Sequence, residues 1–486
     1  MEPTARRAMV TGATGYVGGQ LVEKLTQDGW AITALVRSPE KARAASWADR
    51  IVETERIEDV PEGHIRLVQG DANNPEDVAK ALQGADVTYY LLHSMGAGEN
   101  FHEQELETAR SFAEAVNKSG VPRVVFLGGL HPEGELSDHL ESRKQVGEIL
   151  LGTNALTLCL QAGVVLGSGS ASFAMLRHLS ERLPGVVAPK WIRNRITPIS
   201  LRNLLFYLQQ AALVDVPRSR TFDIGGPEDV SYIEMLQRYA RHFRLGPRPA
   251  IVAPVTTPEL GAHWIGFVTP VHTKMAKPLI GSLLHDTVVK ERDLQEIAGL
   301  PPQGLDTLED AFDAARPDFD PCRWLRVLGG TSVAVVTAAG LATAATRPSS
   351  LWLKSLRKPS FYPPQWAFPV IWNLIYSTFT ASSALTIGDL GDDANGKDAP
   401  QERRSFTALV AANLGLNAAW SWVFFRRKNL PASTAVAAGL CATTVSLTKR
   451  QAARDVVRAS LTGGYAAWAG FATLLSATLW RKNRRR

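Results

Sequence analysis

The sequence predicts an α/β doubly wound domain over residues 1–320 followed by an all-α five-helix transmembrane bundle over residues 321–486. With 486 residues and 45% hydrophobic content, the chain is too long for one ordinary domain and too polar to lie wholly within a membrane. Its charge is divided: up to Cys322 there are 32 Lys+Arg against 41 Asp+Glu, a net −9, and beyond it 21 against 6, a net +15. Near the same point, short alternating strand-like and helical runs give way to long apolar stretches. The basic residues of the second half fall between those stretches, where Lys and Arg meet lipid headgroups. Membrane lipids, not nucleic acid, are therefore the expected partner.

From Ala8 the first half alternates two patterns. The apolar runs AMVTG, AITALV, IRLVQG, DVTYYLL and RVVFLGG read as strands, and the stretches Tyr16–Gln27, Pro75–Leu82 and Glu103–Lys118 between them read as amphipathic helices. Strict alternation of this kind implies a parallel sheet with helices on both faces. The first strand ends in Gly12-x-x-Gly15-x-x-Gly18. Its glycines permit a tight turn, a close backbone approach to a pyrophosphate and close packing of the following helix, whose N-terminus presents a positive dipole end. The turn opens a helix and is followed by a second strand ending in Arg37-Ser38, as a Rossmann dinucleotide-binding domain requires. Candidate phosphate contacts are Gly12, Thr14, Gly15, Tyr16, Val17 and Gly18. An acidic residue at the second strand end would bond a ribose diol, whereas Arg37 offers a charged fork to a 2′-phosphate, so NADP is expected over NAD. The competing reading of Arg37 is a solvated loop residue.

The segments TGATGYVGG, Gly70-Asp71 and LLHSM resemble the atypical, NmrA-like branch of the short-chain dehydrogenase/reductase superfamily, to about residue 315. The resemblance implies that Asp71 and Ala72 lie by the adenine, and that Leu92 and His93 lie near the ribose and nicotinamide. It also implies that GVVLGSGSASF, ITPISLRNL and FDIGGPEDVSYIEML build a smaller substrate-capping region. Active members use a Tyr-x-x-x-Lys pair, the lysine holding the ribose and lowering the tyrosine pKa for proton transfer. Here Lys144 falls at the lysine position, as the candidate catalytic residue, and Leu140 falls at the tyrosine position. His131, Ser137, His139 and Ser142 are the nearby groups that could substitute, although isolated His and Ser residues near a helix start are more often caps or surface residues.

Cys159, Cys322 and Cys441 stand far apart with no metal-ligand or paired spacing, so neither a disulfide framework nor a metal site is expected. The opening MEPTARRAMVTGATG runs directly into the first strand without an apolar leader, which places the N-terminal domain in the cytoplasm as an expectation.

In the second half five apolar segments can be drawn: Val327–Ala345, Trp366–Ile387, Phe406–Phe425, Ala432–Leu447 and Ala459–Trp480. Most reach bilayer-spanning length, and their Ala, Gly, Ser and Thr suit close helix contacts. The run WLKSLRKPSFYPPQWAFPVIWNLIY, with LNAAWSWVFF and GYAAWAGF, resembles the TspO/translocator protein family from Val327 to Asn483. Departures are Phe361 in place of a common Trp, Gly464 in place of a Pro, and Ser476 in place of an Asn. The resemblance implies a pocket for a hydrophobic small molecule: a porphyrin, a haem-pathway intermediate or a lipid. Trp366, Trp372, Tyr376, Asn417, Trp420 and Trp468 are its candidate lining; stacking and one amide would hold a flat ligand. The alternative for any of these aromatics is an anchor at the membrane interface. A homodimer through the membrane segments is among the expected assemblies.

The more basic connectors carry Arg347, Lys354, Arg357, Lys358, the RRK triplet and the RKNRRR tail. With five spans, the positive-inside tendency would put the N-terminal domain outside. A large dinucleotide-binding domain without an export signal argues for the opposite, a multi-pass integral membrane protein with its N-terminal domain cytoplasmic. The two functional readings are an NADP-dependent reductase or epimerase at the bilayer, and a sensor or transporter regulated by the dinucleotide without turnover.

Overall fold

Continuous Val, Ile, Leu and Ala runs cannot alternate between core and solvent, so they form strands covered on both faces. Such runs form the middle of one parallel sheet, completed by less buried edge strands: β1 (Arg7–Thr11), β2 (Ala31–Val36), β3 (Ile51–Val52), β4 (Ile65–Gln69), β5 (Val87–Tyr90), β6 (Arg123–Gly129), β7 (Leu156–Ala162) and β8 (Arg220–Ile224). The order is β8-β7-β6-β5-β1-β2-β4-β3, and every pairing within it is parallel. This computed structural model describes residues 6–93, 101–132, 136–252, 264–271, 273–315, 320–392 and 399–484. It divides into two compact units, residues 1–265 with 273–318, and residues 266–272 with 319–486.

In the first unit the helices are α1 (Tyr16–Gln27), α2 (Pro39–Arg43), α3 (Pro75–Leu82), α4 (Phe101–Ser119), α5 (Asp138–Leu151), α6 (Ala171–Arg182), α7 (Leu201–Ala211), α8 (Tyr232–His242), α9 (Thr273–Gly281), α10 (Asp293–Ala298) and α11 (Leu308–Ala314). One core joins α1 and α7 to a sheet face through Leu21, Leu25, Leu204, Tyr207 and Leu208. The other joins α3, α4 and α5 to the opposite face through Val78, Phe112, Val116, Val146 and Leu150. Successive strands add outward from β1 to β2 and β4, after which the chain returns to the other side of β1 as β5. The order thus reverses between β1 and β5, and ligands of open α/β sheets bind outside the carboxyl ends at such a point.

The second unit has long helices α12 (Arg323–Ala345), α13 (Ala367–Asp392), α14 (Ala399–Ser421), α15 (Leu430–Ala452) and α16 (Val456–Asn483). A π turn, Trp422–Arg426, continues α14. The helices overrun the apolar segments because hydropathy marks only their middles. Backbone bonding runs on to a cap, as at Asn429, which accepts from Ala432 N, and Asp455, which accepts from Arg458 N. Among the described residues three helices, Arg323–Ala345, Pro400–Arg426 and Leu430–Ala452, are long and apolar enough to cross a membrane. Four helices contribute to the unit's polar interior: Ser382 of α13 meets Thr462 of α16 at 3.0 Å, Asn417 of α14 lies between Tyr376 and Tyr465, and Asn413 of α14 donates to Thr444 of α15 at 2.8 Å.

Candidate functional sites

At the carboxyl end of β1, Thr11 Oγ1 donates to Tyr89 O at 3.0 Å and accepts from Leu91 N at 3.2 Å, tying the two strands that flank the reversal point. The chain then turns at Gly12, whose φ of +70° favours glycine. A Cβ on Gly12 would stand 2.7 Å from Leu91 O, and one on Gly18 would overlap Gly12 O, so both positions are closed to side chains by backbone. Gly15 N donates to Gly12 O at 2.8 Å, and Gly15 is the N-cap of α1 with no capping side chain. The first N–H groups of α1, those of Tyr16, Val17 and Gly18, thus have no side-chain acceptor. Thr14 is exposed beside them. The Tyr16 ring packs on the turn at Gly167 and Gly169, its hydroxyl is buried without a partner, and burial raises its pKa.

Arg37, after β2, is exposed and has no side-chain partner among the described residues. Ser38 is occupied as the N-cap of α2, its hydroxyl accepting from Lys41 N at 3.5 Å and donating to Glu40 at 2.7 Å. After β4, Asp71 Oδ1 accepts from Asn73 N at 2.9 Å, while Asp71 N donates to Asp77 at 2.9 Å; Ala72 is buried. Gly12 to Gly18, Arg37, Asp71 and Leu92 thus follow the carboxyl ends of β1, β2, β4 and β5 in order. The residue set suits a dinucleotide: a glycine turn closed to Cβ atoms, an exposed guanidinium and a carboxylate, each following a strand end.

Lys144 stands one turn after Leu140 on α5, at the edge of its buried face. Leu140 is buried, whereas Lys144 is half-exposed and 3.8 Å from Glu148. The buried face of α5 carries groups that the motif reading passed over. Arg143, almost wholly buried, donates to Leu92 O at 2.9 Å and to Leu127 O, so it spans the ends of β5 and β6. It also lies over the Phe126 ring at 4.7 Å and 3.5 Å from Glu105 of α4. The buried Glu105 carboxylate accepts in addition from Ser142 Oγ and from His93 Nδ1, the latter at 3.3 Å. The His93 and His139 rings lie 4.7 Å apart. Burial, then His93, then Arg143, pull the His139 pKa down to about 3; burial also lowers that of His93 against the pull of Glu105. His131 Nδ1 accepts from Gln161 at 3.0 Å, and burial, followed by the nearby Lys144 charge, lowers its pKa. The sequence did carry a signal for the buried pair. Glu105 continues the apolar stripe of Ala109, Phe112 and Val116, and Arg143 sits in the stripe of Leu140, Val146 and Leu150.

In the second unit Trp372 stacks on Tyr376 at 5.3 Å, Tyr376 OH donates to Asn417 Oδ1 at 3.0 Å, and Asn417 Nδ2 donates to Tyr465 OH at 3.2 Å. Trp372 also meets the Tyr465 edge at 6.0 Å. Tyr465, left out of the candidate lining, completes this cluster. Trp468 joins Phe368 and Phe471, and its indole N–H is buried without a partner. Trp420 lies in a separate cluster, stacked on Phe424 at 5.0 Å and bonded to Ser476 at 3.4 Å. Trp366 is 70% exposed. Of the six candidates, Trp372 meets Tyr376, Tyr376 meets Asn417 and Trp468 packs against the same core, whereas Trp420 lies in another cluster and Trp366 is exposed.

Comparison with known proteins matches residues 12–155 to a family model described as NAD(P)H-binding and residues 331–481 to the TspO/MBR family. The ceramide reductase of Caulobacter vibrioides is 27% identical over 177 residues, 36% of this chain and 51% of its own length. This chain therefore spans about half of that relative. An NmrA-like family domain-containing protein of Dictyostelium discoideum is 27% identical over 124 residues, 25% of this chain and 35% of its own length. The translocator protein of Ovis aries is 30% identical over 138 residues, 28% of this chain and 76% of its own length. Together with the apolar helices, the last match associates the protein with a membrane. Through residues 331–481 the chain belongs to the TspO/MBR family, and ahead of that domain it carries an NAD(P)-binding, NmrA-like Rossmann domain.

Proposed function

We propose that the protein is a membrane-anchored NADP-dependent oxidoreductase acting on a hydrophobic substrate held in the bilayer, with a five-span TspO-like domain that binds a flat hydrophobic ligand, a tetrapyrrole or a lipid. The observation that carries this reading is the free Arg37 guanidinium at the strand end next to a glycine turn closed to side chains. A planar fork of donors without a carboxylate suits a 2′-phosphate, which NADP has and NAD lacks. In this reading the first N–H groups of α1 hold the pyrophosphate, Asp71 and Ala72 border the adenine, Leu92 and His93 border the nicotinamide ribose, and Lys144 reaches that ribose. When bound, the dinucleotide supplies or accepts a hydride. Similarity to a ceramide reductase supports a lipid carrying a hydroxyl or carbonyl as substrate. In the second unit Trp372, Tyr376 and Asn417 offer a stacking face and an amide to the hydrophobic ligand. The N-terminal domain faces the cytoplasm, and Gly329, Gly330 and Gly340 on α12, open to solvent or lipid, support a homodimer through the membrane domain.

The test is calorimetric titration of the full chain in detergent with NADPH and NADH, beside Arg37→Asp. Charge-assisted bonds contribute about 1.5–3 kcal/mol, so the variant is expected to lose tenfold to a hundredfold in NADPH affinity with NADH little changed. Equal NADPH affinity in both proteins would overturn the cofactor assignment.

A second reading, a dinucleotide-regulated sensor without turnover, is favoured by one observation: the tyrosine position is filled by the buried Leu140. Oxidation of NADPH dependent on added lipid substrate separates the two, because sensing requires none.

A further inference from the structure

The oxidoreductase reading lacks a proton carrier, since Leu140 has no exchangeable proton. The end of β5 has one. His93 follows the strand that borders the reversal point, and its Nδ1 donates to Glu105 Oε1 at 3.3 Å. Glu105 is in turn held by Ser142 Oγ and by Arg143, which also fixes the carbonyls of Leu92 and Leu127. A carboxylate bonded to Nδ1–H sets the imidazole tautomer, so Nε2 is the nitrogen free to exchange a proton. Among the described residues Nε2 has no partner.

We propose that His93 and Glu105 are the proton-transfer pair that takes the place of the absent tyrosine, with Ser142 and Arg143 as positioning residues. The proposal rests on the oxidoreductase reading above and names the residues of that same site. In the oxidising direction the substrate O–H proton passes to His93 Nε2 while the hydride on the same carbon leaves to the oxidised dinucleotide, and the carbonyl π bond forms. In the reducing direction the carbon receives the hydride, the π bond breaks, and the oxygen takes its proton back from Nε2. The titratable and charged groups facing His93 are Glu105 on α4 and His139 and Arg143 on α5. Of these, Arg143 opposes protonation, Glu105 favours it, and His139 is neutral. Burial lowers the His93 pKa and so keeps the imidazole unprotonated at neutral pH, with Nε2 available to accept a proton.

The test is NMR titration of ¹³C-labelled histidine in the full chain in detergent, assigned with His93→Asn, in the free protein and with saturating NADPH and NADP⁺. The oxidised nicotinamide ring carries a positive charge that the reduced ring lacks. A His93 beside the reacting carbon is therefore expected to titrate at least about half a pH unit lower with NADP⁺ than with NADPH. Glu105→Gln should lower the free-protein value further. The same His93 pKa in both complexes overturns the pair while leaving cofactor binding intact. Failure of either dinucleotide to bind removes the oxidoreductase reading, and the pair with it. Should Glu105→Gln not fold, the NADP⁺–NADPH difference in the parent protein decides alone.

Discussion

Gly12→Ala tests the geometry on which the first site depends. The new methyl carbon would lie 2.7 Å from Leu91 O and 3.0 Å from Leu91 C, in a backbone at φ +70°. A relaxed C···O contact is about 3.3 Å or more, so the turn and the end of β5 must separate by roughly 0.6 Å. Neither partner is the tip of a flexible side chain, so the strain is not relieved by a rotamer change. Placing Ala in the left-handed region costs about 1–2 kcal/mol, and overpacking against backbone about 1–3 kcal/mol more. Since binding constellations tolerate about 0.5 Å of displacement, NADPH affinity is expected to fall tenfold to a hundredfold beyond any loss of stability. Gly152→Ala is the control, because there φ is −80° and the nearest atom is 3.4 Å away. The assays are calorimetric titration with NADPH and a thermal melt of the full chain. If Gly12→Ala binds NADPH within about twofold of the parent and melts with it, the tight turn is not what holds the dinucleotide.

Three further outcomes are expected. Arg143→Met leaves Glu105 buried without its cation, at a cost of about 3–5 kcal/mol measured by urea denaturation; by contrast Arg454→Ala, in an exposed pair with Glu402, should cost under about 1 kcal/mol. His139, with its pKa lowered from 6.5 to about 3, is neutral when folded, so between those values the unfolded chain binds more protons. Its stabilisation is complete above about pH 6.5 and is lost on acidification by up to about 1.4 kcal/mol per pH unit, so melts from pH 7 to 5 should fall less steeply in His139→Asn. Asn417→Leu leaves the hydroxyls of Tyr376 and Tyr465 without their shared amide, and should both lower the melting temperature of the membrane domain and weaken quenching of tryptophan fluorescence by protoporphyrin.

Read alone, the sequence determined the parallel α/β class of the first half, because strand and helix periodicities are local and the glycine turn imposes its own backbone. It determined the family of the second half for a similar reason: the dense aromatic and proline spacing from Trp352 to Tyr376 survives as contiguous text. Helix ends were less legible, since hydropathy is blind to caps such as Asn429 and Asp455. The apolar stripes of α4 and α5 run through Glu105 and Arg143, a signal the motif reading passed over, and periodicity reports which face of a helix is covered and not what covers it. Only the tertiary structure decided that Arg143 meets Glu105, 38 residues away, and Leu92 O, 51 residues away. It likewise separated Trp372, stacked inside its bundle, from Trp366, exposed on the outside, although both stand in the same motif. No spacing rule links residues so distant in the chain; their meeting is set by the crossing of strands and helices around a shared core, which exists only once the chain has folded.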